Sequence, residues 1–150
     1  MLVLTEAQPG DAARIADFHM AAFGSNQLLL AQFPTPAVRE GLRTSLVEKV
    51  QAELYARSPV GYPRNLSFIA TDPAYGRCGA GSLLMNWALK RAEKETVPVA
   101  LESTMDAVPF YERLGFRTEA QISMSLGGPG EEFMPYEERF LVFRPNSFPI

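Results

Sequence analysis

Between Asp72 and Lys94 the chain reads DPAYGRCGAGSLLMNWALKRAEK, with Gly76, Gly79 and Gly81 clustered just ahead of a helical pattern. Amides from Arg77 to Ser82 at such a place lie around a concavity at the positive end of a helix dipole, and backbone arranged this way binds phosphate. Small residues matter there, because side chains would keep an anion from reaching the amides; Gly79, Ala80 and Gly81 satisfy that, and Ser82 adds a hydroxyl. The same spacing also serves as an ordinary tight turn. It is not a Walker loop, since no Gly-Lys-Ser or Gly-Lys-Thr follows, and the GxGxxG fingerprint of dinucleotide-binding domains is incomplete.

Positioning that loop requires a strand before it and a helix after it. LSFIAT is a compact β-prone run bounded by Asp72-Pro73 and reads as a strand buried in a sheet. From Ser82 the pattern becomes helical, with Leu84, Trp87, Ala88 and Arg91 or Ala92 on one face and Lys90, Glu93 and Lys94 on the other. Downstream, VPVALES is a strand, AVPFYERLGF a short helix ended by Gly115 in a left-handed conformation, and QISMSL and RFLVFR are two further strands. Upstream, LVLTEA reads as an opening strand, and Asp11 caps a helix carrying Ile15, Phe18 and Ala22 that stops at Gly24. NQLLLAQF forms a short apolar turn closed by Pro34, and Thr35-Pro36 opens a helix with Val38, Leu42, Leu46, Val50 and Leu54 at steps of four. ARSPVGYPRN is a loop.

With 150 residues, 47% hydrophobic and 21% charged, the chain has the size and balance of one soluble domain spanning 1–150. No apolar run approaches the roughly 20 residues that cross a bilayer, and the N-terminus lacks the pattern of a secretory signal, so a cytoplasmic protein with no membrane partner is expected. The single cysteine, Cys78, excludes an internal disulfide, and with the single histidine, His19, it removes cysteine-rich zinc sites and most histidine-based triads; no metal is expected. A net charge of −3 argues against a nucleic-acid partner.

ESTMDAVPFYERLGF, about 20 residues beyond the glycine loop, resembles the second half of the GNAT acetyltransferase signature, and TDPAYGRCGAGSLL is similar to that superfamily's acyl-CoA pyrophosphate loop. The likeness is specific from about Leu66 to Phe116 and loose over most of the chain. It implies a GNAT-like α/β (α+β) fold, a mixed central sheet flanked by helices, and an N-acetyltransferase that uses acetyl-CoA as cosubstrate for a small-molecule amine. In such enzymes the amine attacks the thioester directly, so no acyl-enzyme is needed. By position, Phe68, Ile69 and Ala70 would pair with the pantetheine arm, and Arg77, Cys78, Gly79, Ala80, Gly81 and Ser82 would hold the pyrophosphate. Tyr111 falls where the family's general acid protonates the departing thiolate, a phenol being matched in basicity to a thiol; the other reading of Tyr111 is an aromatic that packs between helix and sheet. Glu102 is the leading candidate for the base and Asp72 and Asp106 the lesser ones, each against the reading of a solvated or capping carboxylate. His19 and Cys78 receive no catalytic role.

Two departures from the family pattern stand out. Gly76 occupies the place where Gln or Arg is common, and only ARSPVGYPRN stands where the family has its second and third strands. Missing strands would expose an edge of the central sheet, which a homodimer sharing strands or an N-terminal segment moved into the gap would cover. The alternative function is therefore a GNAT-fold protein that has lost acetyl transfer and binds or rearranges a small apolar molecule without CoA. A non-catalytic interaction module ranks last.

Overall fold

Ladder pairing across the strand Val99–Thr104 organises the C-terminal part of the chain. The computed structural model describes residues 2–56, 64–65, 69–127 and 132–148. Its sheet has the order β1-β2-β4-β3, built from β1 (Arg64–Asn65), β2 (Val99–Thr104), β3 (Arg117–Leu126) and β4 (Met134–Phe143). β1 lies parallel to β2, whereas β2 with β4 and β4 with β3 are antiparallel, so the expected mixed sheet is present. Two compact units divide the molecule. One holds the described residues up to Ala56 together with Ile69–Gly81, and the other holds β1 and everything described from Ser82 onward.

In the first unit, α1 (Ala12–Phe23) and α3 (Pro36–Ala56) pack on each other, with α2 (Gln27–Gln32) between them in sequence. Local chemistry sets their ends. Asn26 accepts the amide of Leu29 at 3.0 Å to start α2, and the Thr35 hydroxyl accepts from Val38 at 3.3 Å where Pro36 begins α3. Asp11 precedes α1 as expected, but its carboxylate turns back to accept from the Gln8 amide at 2.8 Å. Arg43 of α3 reaches Asp17 of α1 at 2.6 Å. The expected opening strand is not formed: residues 2–8 have no regular structure, and Leu2, Val3 and Leu4 are exposed. β-propensity alone does not make a strand; a neighbouring strand must supply the ladder, and none does so among the described residues.

In the second unit the strands extend beyond their sequence signals, because pairing between β3 and β4 runs from Arg117 opposite Val142 to Leu126 opposite Met134, with a bulge near Glu119. Alternation along β2 sends Val99, Leu101 and Ser103 to one face, all buried, and Ala100, Glu102 and Thr104 to the other. Opposite the buried set stand Phe143, Leu141 and Arg139 of β4. The helix α4 (Ala80–Glu95) starts two residues earlier than expected and buries a different stripe. Met85, Leu89 and Ala92 are inside, while Leu84 and Trp87 are 39% and 51% exposed. Two adjacent stripes have helical spacing here; the one with unbranched Met85 and Leu89 is buried, and Trp87 stays at the surface beneath the Arg91 guanidinium, 5.8 Å from its ring.

The expected strand over 66–71 lies partly outside the described residues. Of its residues, Ile69 to Thr71 are described and have no regular structure, whereas β1 falls at Arg64 and Asn65, the end of the stretch read as a loop, where the ladder with Val99 and Ala100 supplies the pairing. The stretch between α3 and β1, on which the reading of two missing strands falls, lies outside the described residues.

Leu141 is fully buried at the centre of the sheet. Replacing it with alanine is expected to destabilise the protein by about 2–5 kcal/mol, read as a lower urea midpoint. A change within experimental error would show that this ladder does not hold the core.

Candidate functional site

The glycine loop is shaped by its own first residues. Asp72 accepts the Ala74 amide through its carboxylate at 2.9 Å, and its carbonyl takes the Tyr75 amide at 2.8 Å, which with Pro73 makes a single 3-10 turn over Pro73–Tyr75. This is the capping role weighed for Asp72. Gly76 closes the turn at φ −59°, a conformation open to any residue, and a Cβ there would meet only the Pro73 carbonyl at an ordinary 3.5 Å. Its lack of a side chain is therefore not imposed by the turn. Arg77 at φ +61° and Gly79 at φ +84° are left-handed, and a Cβ on Gly79 would touch nothing within 4 Å. The alternation at Arg77 and Gly79 turns the chain into α4, whose first amides, those of Ala80, Gly81 and Ser82, have no intrahelical acceptor. Arg77, Cys78, Gly79 and Ser82 are exposed and Ala80 and Gly81 half-buried, so these amides are accessible to an anion. The Cys78 thiol donates to the Gly76 carbonyl at 3.5 Å, consistent with a small residue fitted to a tight loop.

Ile69 and Ala70, expected to carry the pantetheine arm, are half-buried in irregular chain, and Phe68 lies outside the described residues. β1 pairs with β2 only at Arg64 opposite Val99 and Asn65 opposite Ala100. Beyond Ala100, the described partner of β2 is β4 alone.

α5 (Val108–Arg113) follows β2 and ends at Gly115, left-handed at φ +93° as expected, with the Leu114 and Phe116 amides returning to the Tyr111 carbonyl at 2.9 and 3.2 Å. Tyr111 is buried. Its ring makes edge contacts with Phe110 at 5.1 Å and Phe116 at 5.6 Å, and Phe116 in turn lies 5.7 Å from Phe143. Burial pushes the Tyr111 phenol above its ordinary pKa, so the hydroxyl stays protonated over the neutral range. This aromatic chain reaches the sheet on the face of Val99 and Leu101, because Phe143 stands opposite Val99. Glu102, opposite Phe140, is exposed on the other face. The two catalytic candidates are thus separated by the sheet through strand alternation. Asp106 is exposed in the turn before α5. His19 is half-buried in the other unit, its ring 4.9 Å from Phe23, and desolvation lowers its pKa.

One functional candidate has no counterpart among the residues singled out by motif. Arg139 sits in β4 directly opposite Ser103 of β2 and Gln121 of β3, and a guanidinium nitrogen of it is buried with no hydrogen-bond partner. The signal in the sequence is a polar residue at an inward position of an alternating run, readable only once the register is known.

A family model described as "Acetyltransferase (GNAT) domain" matches residues 37–128, more than half of the chain. The chain belongs to the GNAT acetyltransferase family. Enzymes of this family are acyltransferases whose donors are generally acyl-CoA thioesters. Within the GNAT match fall α4, β2, α5 and β3, the elements that carry the loop and Tyr111. A curated relative, "Probable acyltransferase SID5" of Ajellomyces capsulatus, is 49% identical over 43 residues, which make up 29% of this chain and 32% of that protein. The match thus spans about a third of its length. Solved structures extend the GNAT likeness to nearly the whole chain. One described as "histone acetyltransferase HPA2 and related acetyltransferase" from Corynebacterium glutamicum gives a TM-score of 0.71 at 20% identity, covering 97% of this chain and 96% of that one. Another, described as "GCN5-Related N-acetyltransferase: Aminotransferase, Class-II" from Rhodopseudomonas palustris, gives 0.58 at 17% identity, covering 96% and 98%. At these identities the likeness speaks to the GNAT fold.

Because burial raises the Tyr111 pKa, its contribution to stability is intact below the unfolded-state value of about 10 and is lost as pH rises through the higher folded-state value. Thermal midpoints of wild type and Tyr111→Phe are expected to diverge above about pH 10, the wild type falling more steeply. Parallel curves would show that the phenol is not shielded.

Proposed function

We propose that this protein is an acyl-CoA-dependent N-acetyltransferase that moves the acetyl group of acetyl-CoA to a small-molecule amine by direct attack. The observation that carries the reading is the loop at 77–82, where left-handed Arg77 and Gly79 lead into accessible first-turn amides of a long helix. Acetyl-CoA supplies the activated thioester, and the residues here bind, orient and move protons. Amides of Cys78 to Ser82 would hold the pyrophosphate without a metal, through dipoles already oriented by the fold. Ile69 and Ala70, with Phe68, would pair with the pantetheine arm.

Tyr111 would act as the acid. The amine nitrogen bonds to the acyl carbon, the carbon–sulfur bond breaks, and the phenol proton passes to the leaving thiolate. Its burial supports the role, since a phenol kept protonated by desolvation is ready to donate and gains an ionised form costly enough to recover its proton quickly. Glu102 would take the proton that the amine loses, through water, because it is solvent-exposed and the sheet separates it from Tyr111. No described helix is long and apolar enough to cross a membrane, which is compatible with a freely diffusing acceptor.

Calorimetric titration with acetyl-CoA tests the donor. Saturable binding that Gly79→Trp abolishes is expected, since Gly79 is left-handed and borders the amides; no binding at millimolar ligand would refute the proposal. Gly76→Arg is expected to fold normally, as neither conformation nor space demands glycine there. In a thiol-release assay with a panel of amines, Tyr111→Phe should slow turnover by at least roughly tenfold. An unchanged rate would move the acid role to another group.

A further inference from the structure

We propose that the chain pairs with a second copy of itself through β3, the two β3 strands lying antiparallel about a two-fold axis at Ser123 and joining two four-stranded sheets edge to edge. The starting point is the main chain. β3 ends the strand order β1-β2-β4-β3, so the N–H and C=O groups that point away from β4 have no strand beside them among the described residues. Side chains leave this edge open: Ala120, Gln121, Ser123 and Ser125 are exposed, and Ile122, Met124 and Leu126 are half-buried.

Edge strands that stay single are protected by charge, proline or a bulge. In β3 those devices are gathered at one end: Arg117, Glu119 with its ion-pair partner Arg144, and the bulge between Thr118 and Ala120. Residues 120–126, AQISMSL, carry no charge, no proline and no glycine over about 20 Å of strand. An unprotected edge of that length is a template for another strand, and its own register says which strand fits.

With the axis at Ser123, Ile122 stands opposite Met124 of the second copy and Ala120 opposite its Leu126, all on the sheet face of Tyr136, Glu138 and Phe140. Gln121 stands opposite Ser125 on the face of Glu137 and Arg139. Apolar groups therefore meet apolar groups, amide meets hydroxyl, and no like charges are opposed. Charge selects this axis over its neighbours. Arg117, exposed at the start of β3, stands opposite Val142, five positions along β4 from Glu137, which is itself opposite Ser123. Glu132, also exposed, lies five positions from Glu137 in the other direction. A two-fold at Ser123 brings Arg117 of each copy level with Glu132 of the other, about 17 Å to either side of the axis. The two side chains together reach across the roughly 10 Å, two strand spacings, between β3 of one copy and the line of β4 in the other. An axis at Ile122 or Met124 would set each pair two positions out of step, about 7 Å.

Sedimentation equilibrium of the full chain over a concentration series tests this. Wild type should show a reversible monomer–dimer equilibrium. Ser123→Lys, which sets two like charges directly opposite each other, should weaken the dimer by at least roughly tenfold. Arg117→Glu and Glu132→Arg should each weaken it by about tenfold, whereas the double variant, and an equimolar mixture of the two single variants, should recover the wild-type affinity because both cross-axis pairs are restored. Wild type that stays monomeric to millimolar concentration overturns the proposal. A dimer indifferent to Ser123→Lys overturns it too, by assigning association to another surface, such as the exposed apolar run at residues 2–4. A double variant and mixture that fail to recover would remove the axis from Ser123. Should Ser123→Lys not fold, the charge-swap series decides. Association is read without turnover, so the transferase reading stands or falls separately.

Discussion

Six residue pairs between β2 and β4, from Val99 opposite Phe143 to Thr104 opposite Glu138, form the constraint on which the rest of the second unit depends. That ladder sets the parity of every side chain on the central strands. It buries Leu101 against Leu141, places buried Ser103 opposite half-buried Arg139, and sends Glu102 outward. A slip of one residue would reverse each of these assignments, because successive side chains of a strand alternate between faces. The chemistry assigned to this unit is thus a consequence of register before it is a consequence of residue type.

The loop at 72–82 obeys a different logic, with its geometry closed within a few residues. Asp72 and Pro73 make one turn, Arg77 and Gly79 take left-handed conformations, and α4 begins. Only at Gly79 does the backbone demand a glycine in this stretch; Arg77 adopts the same region with a side chain, at a strain cost of order 1–3 kcal/mol that the surrounding turn must hold. Gly76, the apparent third member of a functional cluster, has an ordinary conformation and room for a side chain. A side chain there is therefore not excluded by the path of the loop.

Burial is used in two opposite ways on the same sheet face. Around Tyr111 it surrounds a phenol with the rings of Phe110 and Phe116, which favours the neutral form and makes the group a better keeper of its proton. At Arg139 it encloses part of a cation that stays charged regardless, so the absence of an acceptor is a standing cost. A neutral acid tolerates an apolar setting, whereas a guanidinium nitrogen enclosed without an acceptor carries a desolvation cost.

Elements with strong local signals were legible in the sequence: the cap at Thr35, the helix stop at Gly115, the strand after α4, and the YERLGF and glycine-loop motifs that mark a GNAT domain. Each depends on a few adjacent residues, so composition and spacing suffice. The opening run LVLTEA has the propensity of a strand but no described partner, and α4 carries two stripes of helical spacing between which only packing chooses. Similarly, nothing in ALEST or RFLVFR says that Ser103 and Arg139 meet or that Glu102 lies across the sheet from Tyr111. The sequence by itself determined the family and the place of its glycine loop; the tertiary structure alone decided which polar groups share a face, because that depends on pairing between segments some 36 residues apart, Ser103 to Arg139, and no local rule reaches so far.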